Sequence, residues 1–322
     1  RPGEGAVSEV EGRKNNLRLT EYTMVGPMLA ALIVALSVRY RMSRVKIQEF
    51  LSCWLNIQLS VGTIDKSIRE SGLACQPVVE ELLKELQEQE IIHIDETPWY
   101  EKGVLKWLWV VVSAQIAVFH IGTRKKEELL ILITEAFTGW LVSDGYMGYR
   151  YYENRQRCLA HLIRKAIALT GAVDEKAQKI GEWLLRELRG LIKAVAEDGE
   201  GGQTCNLILA RLKRVCSLGS KETHEKLRSV SKEILNDWDA VVAFVKNPDL
   251  PPTNNEAERA LRHAVIARGI CFGTRTPEGS RAYAALLSVI ETCRLRNQDP
   301  WQYIAETVAL GRKGIAPSSI GA

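Results

Sequence analysis

The sequence has no C-x-x-C pair. Its seven cysteines are scattered along 322 residues, and an odd, unpaired set fits reduced thiols in a cytosolic protein rather than a disulfide framework. It also lacks an apolar run of membrane length. The most apolar stretch, "MVGPMLAALIVALSV" at 24–38, falls short of the ~20 residues a span needs, and Arg39 and Arg41 follow at once. A buried helix is expected there. No signal peptide is evident, because the first residues are polar and Gly-containing. The chain starts at Arg1 rather than Met, as a fragment of a longer protein would. No internal repeat of fixed period stands out, which argues against a solenoid. Net charge is small: 43 Lys and Arg against 39 Asp and Glu give +4. That permits a nucleic-acid partner through a local basic groove without announcing one.

What is present is ordinary for a soluble globular chain, with 46% apolar and 25% charged residues. The length suits two or three domains or one elaborated domain. Residues 1–20 are polar and punctuated by Gly and Pro, as in a linker or arm. Residues 21–90 read as helical. Ser43 is placed to cap a helix through Leu51, a turn falls near Asn56, and Ser60 or Thr63 can cap a second helix at 61–72. Two short helices and a tight turn fit a DNA-binding helix-turn-helix and a plain helical hairpin equally well.

The texture then changes. "IIHIDETPWY", "VLKWLWVVVSA" and "QIAVFHIG" are closely spaced β-branched and aromatic runs, which predict an antiparallel strand set. A helix at "KKEELLILITEAF", a strand at "GWLVSDGY" and a strand-to-helix passage at "RQRCLAHLIRKAIAL" follow, so the order is β-β-β-α-β and then β-α. Residues 174–247 have helical period throughout, and "PDLPP" ends them. The expected organisation is a first sheet-bearing part at 91–170, a helical insertion at 171–250, and a return at 251–322.

Three carboxylates then draw together. Asp95 is expected at the end of the first strand and Asp144 at the end of the fourth. Aspartates on neighbouring strands repel, and a divalent cation removes the repulsion. Hard oxygen donors suggest Mg²⁺ or Mn²⁺ rather than zinc. A third carboxylate from a helix packed on the sheet would complete a two-metal site for in-line phosphoryl transfer. "TNNEAERALRHAVIAR" at 253–268 offers two. Thr253 and Glu256 have the spacing of a capping box, which gives Glu256 a structural task. Glu258 borders the alanine-rich packing face, although an i,i+4 pair with Arg262 explains it as well. Cys158 and His161 lie three apart, but one such pair is a weak metal signal and buried structural residues are the plainer explanation. Trp99, Trp107 and Trp109 are expected in the core, with Trp99 nearest the site.

"IIHIDETPW", "LVSDGYMGY", "RCLAHLIRKA", "TNNEAERALRHAVIAR" and "FGTRTPEGSRAYAALLSVIETCRLRNQDPWQYI" occur here in an order that resembles the transposases of the IS66 insertion-sequence family, over residues 25–312. The resemblance implies a DDE transposase with a ribonuclease-H-like α/β fold, that is, a mixed sheet with flanking helices and a helical insertion. It implies Asp95, Asp144 and Glu258 as the catalytic, metal-holding triad, two Mg²⁺ or Mn²⁺ ions, and double-stranded DNA as partner, both transposon ends and target. Two DNA ends call for at least two subunits, and accessory proteins of the same element are further candidate partners. Basic residues then acquire a role: Arg155, Arg157, Arg164, Lys165, Arg259, Arg262, Arg268, Arg275 and Arg281 are candidates to line a phosphate-tracking groove. Full-length members carry a further N-terminal part with a cysteine-rich, zinc-binding-like segment. Its pattern is not found here, so the chain is either truncated or has a degraded element. The alternatives to a transposase are a ribonuclease-H-like nuclease that cuts without joining, and a non-catalytic DNA-binding remnant.

Overall fold

A computed structural model describes residues 24–198 and 202–321. The expected N-terminal arm at 1–20 lies outside them. Helix α1 (Pro27–Val34) runs into a π-helical turn at Ala35–Arg39. It is apolar all round, with Ala30, Ala31, Ile33 and Val34 buried and Met28 exposed at its start; among the described residues no helix is long and apolar enough to cross a membrane. Helix α2 (Arg44–Leu55) starts at Ser43, whose hydroxyl accepts from Lys46 N, and stops at Asn56 in the left-handed conformation. Helix α3 (Val61–Ala74) is capped by Ser60 through Thr63 N, and α4 (Gln76–Leu86) follows directly.

The sheet comes next: β1 (Ile91–Glu101), β2 (Val104–Val112), β3 (Ala117–Gly122), α5 (Lys126–Leu132), β4 (Trp140–Ser143), a 3-10 turn at Met147–Tyr151, and β5 (Arg155–Arg157). Strand order is β3-β2-β1-β4-β5. The β1-β2-β3 meander is antiparallel, and β4 joins β1 and β5 in parallel. This is the mixed sheet with flanking helices that the family resemblance implies, and its meander is the antiparallel set that the strand runs predict. Lys102 and Gly103 both have positive φ and join β1 to β2, as a two-residue primed turn requires.

Helices α6 (Leu159–Thr170), α7 (Glu175–Asp198), α8 (Gln203–Gly219), α9 (Glu225–Asn236), α10 (Trp238–Val241) and α11 (Ala243–Lys246) share one apolar core. Helices α12 (Asn255–Cys271), α13 (Pro277–Leu295) and α14 (Pro300–Arg312) return to the other. That core also takes in α1 to α4 and the sheet.

Helix α13 protects the exposed edge of the sheet. Thr292 Oγ1 accepts from Ala117 N and donates to Ala117 O, both at 3.1 Å, and Ser288 Oγ accepts from Phe119 N at 2.8 Å. An edge strand whose amides are taken by a helix offers no template for another chain.

The helix pair at 44–74 is anchored in the fold by its second member. Helix α3, which would have to read the groove, is packed against α1, α13 and α14. Ile64, Ser67, Ile68, Glu70, Ser71, Gly72 and Ala74 are buried, and Arg312 pairs with Glu70 at 2.9 and 3.1 Å. Its outer face keeps Gly62, Lys66 and Leu73 exposed, with Asp65 and Arg69 half-buried between them. A Cβ on Gly72 would lie 2.4 Å from Ala282 Cβ and 2.5 Å from Ala282 Cα, so the two helices meet backbone to backbone. Gly72→Ala is therefore expected to lower stability by about 1–3 kcal/mol, seen as a lower urea midpoint with an unchanged slope. A midpoint equal to or above that of the unaltered protein would show that α3 and α13 separate without cost.

Candidate functional site

Register brings the two aspartates together. His93 pairs with Val142 across the parallel β1–β4 contact. Asp95 and Asp144 each follow two residues beyond that last parallel pair, and the Asp144 charge is felt by Asp95. The sequence pattern put Asp95 at a strand end. In the structure β1 continues to Glu101, because beyond Asp95 it still pairs with β2 while β4 has stopped at Ser143. The end that matters is that of the parallel pairing. Each carboxylate is steadied by its own backbone: Asp95 Oδ1 accepts from Glu96 N at 2.9 Å, and Asp144 Oδ1 from Tyr146 N at 2.8 Å. Gly145 is required here, since a Cβ would lie 2.1 Å from an Arg157 guanidinium nitrogen.

Glu258 arrives on α12, which packs on β1 and β2. The expected capping box does not form. The N-cap is Asn254 rather than Thr253, and no side chain caps the helix. Asn254 is fully buried and turns inward instead. Its Nδ2 donates to Ile94 O at 2.7 Å, its Oδ1 meets His93 Nδ1 at 3.1 Å, and its backbone N donates to Cys158 Sγ at 3.2 Å. One asparagine thus ties β1, the start of α6 and the start of α12 together. Its carbonyl accepts from Glu258 N at 3.1 Å, which sets the height of Glu258 above the sheet. Glu256 is left on the outer face, paired with Arg259 at 3.2 Å.

The electrostatics mark a cluster short of positive charge. Burial, together with the charges of Glu96, Asp144 and Glu258, pushes the Asp95 carboxyl up to about 7, against the backbone hydrogen bond from Glu96. Burial also raises Glu96, although Tyr149 and Arg124 oppose it. Glu258 accepts from Arg164 at 3.0 Å and lies 3.7 Å from His161 Nδ1. Burial and the Arg164 charge hold that histidine below its ordinary pKa.

Glu258 belongs to two candidate donor sets. Asp95, Asp144 and Glu258 offer only hard oxygens, which suit Mg²⁺ or Mn²⁺. Cys158, His161 and Glu258 have ligand atoms within 4.8 Å of one another, a softer set. Cys158 already serves the fold, its sulfur accepting Asn254 N and its burial raising the thiol pKa.

The nine basic candidates separate by environment. Arg157 is 2% exposed and bound to Glu233 and Asp237; Arg155 is 12% exposed and bound to Asp237 at 2.7 Å. These two fasten β5 to the helical insertion and present no free guanidinium to a phosphate, so they leave the groove set. Arg268 is half-buried and donates to Thr97 Oγ1 and Pro98 O. Lys165 pairs with Glu233, Arg259 with Glu256, Arg281 with Glu278 and Arg164 with Glu258, all with exposed side chains. Arg262 and Arg275 are exposed.

Sequence reasoning passed over three neighbours of the triad. Glu96 has a side chain only 1% exposed and accepts from Arg124 and from the Tyr149 hydroxyl. Arg124 stacks between Trp107 and Tyr146, 4.2 and 4.1 Å from their ring centroids. The adjacent acids in "DET" and the repeated tyrosines in "SDGYMGY" were the available signals. Trp99 and Trp109 are fully buried as expected, whereas Trp107 is partly exposed beneath Arg124.

Comparison with known proteins bears on this arrangement. The chain is 23% identical over 303 residues to "Uncharacterized protein y4qI" of Sinorhizobium fredii (strain NBRC 101917 / NGR234), covering 83% of this chain and 56% of that one. It is 26% identical over 157 residues to "Uncharacterized protein y4jO" of the same organism, covering 48% and 47%. A shorter match, 36% identical over 76 residues, joins 24% of this chain to 14% of "Uncharacterized protein y4hP", also from that organism. The chain spans about half the length of y4qI and y4jO, and less of y4hP. The profile described as "Transposase IS66 family" matches residues 22–282, a span holding the whole sheet and all three carboxylates. The chain belongs to the IS66 family of transposases.

Proposed function

We propose that this chain holds the phosphoryl-transfer centre of a DNA transposase, with Asp95, Asp144 and Glu258 as its catalytic carboxylates. What supports the reading is that Asp144 and Glu258, from a strand end and a helix far apart in sequence, both lie near enough to Asp95 to help push its carboxyl up to about 7. Two Mg²⁺ or Mn²⁺ ions bound there would neutralise the carboxylates, activate the attacking oxygen and stabilise the leaving one. Asp95 and Asp144 each accept through Oδ1 from a following amide, that of Glu96 and that of Tyr146, which leaves the other oxygen for a ligand. The Asn254 staple fixes the third carboxylate above them. Arg164, with its side chain 58% exposed beside Glu258, puts positive charge where a DNA phosphate would approach. Water opens the phosphodiester at the element's end, and the released 3′-hydroxyl attacks target DNA.

The test is an assay offering a duplex with a pre-cut 3′-hydroxyl end and a supercoiled target in Mn²⁺. A joined product is expected. Cleavage without joining would identify a ribonuclease-H-like nuclease, and no reaction with no Mn²⁺ binding would identify a remnant. Metal binding should itself depend on pH. At pH 6 Asp95 is mostly protonated and at pH 8 mostly ionised, and a cation must displace that proton. Apparent Mn²⁺ affinity is expected to rise about tenfold between these values, by isothermal titration. An affinity flat across that range would remove Asp95 from the ligand set.

A further inference from the structure

A second site lies along α12 from the triad. A cavity of about 520 Å³ opens between the N-terminal helices and the α12–α13 loop. Its walls include Val38, Ile68, Ala267 and Ile270, and Tyr283 stacks on Trp99 with ring centroids 5.0 Å apart. The Tyr283 hydroxyl is buried and has no hydrogen-bond partner among the described residues. Four arginines line the cavity against one aspartate. Arg44 and Arg69 share that aspartate, Asp65, at 3.3 and 3.0 Å. Arg41, in the left-handed conformation at φ 60, and Arg275 have no polar partner among the described residues.

The cavity is built rather than incidental. Thr274 N donates to Tyr100 O and Thr274 O accepts from Lys102 N, both at 2.8 Å, so the α12–α13 loop is stitched to the end of β1. Gly273 permits this approach, because a Cβ would lie 2.0 Å from Tyr100 O. Trp99 Nε1 donates to Thr274 Oγ1 at 3.2 Å. Thr276 caps α13 at the rim through Gly279 N, so the positive end of a 19-residue helix adds to the arginines.

We infer that this cavity takes an unpaired nucleotide of the DNA bound at the triad. The apolar walls and the Tyr283 ring suit a base face, the Tyr283 hydroxyl suits a base edge, and the rim cations with the α13 N-terminus suit phosphates. The volume is that of a small-molecule site and lies within the usual range for one, too small for a stacked run of base pairs. Geometry ties it to the same strand. Ala267 is nine residues beyond Glu258, about 14 Å along the helix. That is about four nucleotides at the rise of one DNA strand. The inference rests on the phosphoryl-transfer reading for its substrate and adds a place where the strand leaves the duplex.

The experiment compares, by fluorescence anisotropy with the full chain, a blunt duplex and the same duplex carrying a short unpaired extension. The extended DNA is expected to bind about tenfold tighter, as one stacked base provides. Arg41→Gln should reduce that preference severalfold, while Tyr283→Phe, which removes only the partnerless hydroxyl, should reduce it about threefold. Neither should change blunt-duplex affinity or the urea midpoint. Arg275 stays intact, because it belongs to the candidate phosphate contacts. Equal affinity for blunt and extended DNA, or a preference unchanged in both variants, overturns the inference and leaves the catalytic reading standing. Failure to bind either DNA overturns both. A free deoxynucleoside monophosphate that binds the cavity without any preference for extended DNA excludes the bound strand as the source.

Discussion

A Glu258→Gln protein is expected to fold normally and bind DNA like the unaltered chain, yet to lose metal-dependent strand cleavage by at least about 10²–10³-fold. Glutamine keeps the shape of the side chain and can still accept from Arg164, which sits 3.0 Å away. The side chain is 33% exposed, so the swap leaves no buried group stranded. What disappears is the negative charge. Asp95→Asn and Asp144→Asn should behave alike, since the Asn oxygen can retain the backbone hydrogen bond that each aspartate accepts. The informative control is Glu256→Gln, which removes a charge two residues away on the outer face of α12. Its activity should stay within about twofold, because an exposed i,i+3 pair contributes only tenths of a kcal/mol. Full cleavage by the Glu258→Gln protein would end the assignment, and loss of cleavage in the Glu256→Gln protein would show that the wrong glutamate had been chosen.

The two glutamates also show where sequence patterns carry and where they stop. Local pattern was enough for the strands: β-branched and aromatic runs separated by tight turns leave few other choices, and the Lys102–Gly103 turn closes the first hairpin as its type demands. It was enough for Ser43 and Ser60, whose caps face solvent and whose partners lie within three residues. It failed at "TNNE". Thr253 and Glu256 have capping-box spacing, but that spacing is silent about Ile94 and His93, more than 150 positions earlier. The buried carbonyl of Ile94 and the ring of His93 need hydrogen-bond partners, and Asn254 satisfies both by turning away from its own helix. Arg155 and Arg157 failed for the same reason. Beside a strand they look like a phosphate-binding cluster, and only the fold brings Glu233 and Asp237 from α9 and its end to meet them. Pairs distant in sequence decide such residues, and periodicity has no access to them.

That ion cluster carries the largest expected effect on stability. Arg157 is 2% exposed, Asp237 5% and Glu233 21%. Burial alone would raise the Asp237 carboxyl, but hydrogen bonds and charge from Arg155 and Arg157, with Arg150 behind them, hold it below its ordinary value. Arg157→Met fills similar space but takes the most buried cation from Asp237 and Glu233, which keep Arg155 and Lys165, and the loss of this buried member costs about 3 kcal/mol. A lower urea midpoint at pH 7 should report it. The sign of the pH dependence follows from the direction of the shift. A carboxyl depressed in the folded state stabilises above its unfolded pKa, near 3.9, and loses that contribution as pH falls through the lower folded value. The gap between the two proteins should therefore narrow below about pH 4. Asp237→Asn added to Arg157→Met should cost less than it does alone at pH 7, since part of what holds Asp237 has already gone. A single variant as stable as the unaltered protein, or a double variant worse than the sum of the singles, would show that the cluster does not fasten the insertion to β5. The consequence reaches the site, because the Arg157 guanidinium lies against Gly145, one residue from Asp144. With methionine there, the turn that presents Asp144 loses its wall, and DNA cleavage should fall even under conditions where the variant remains folded.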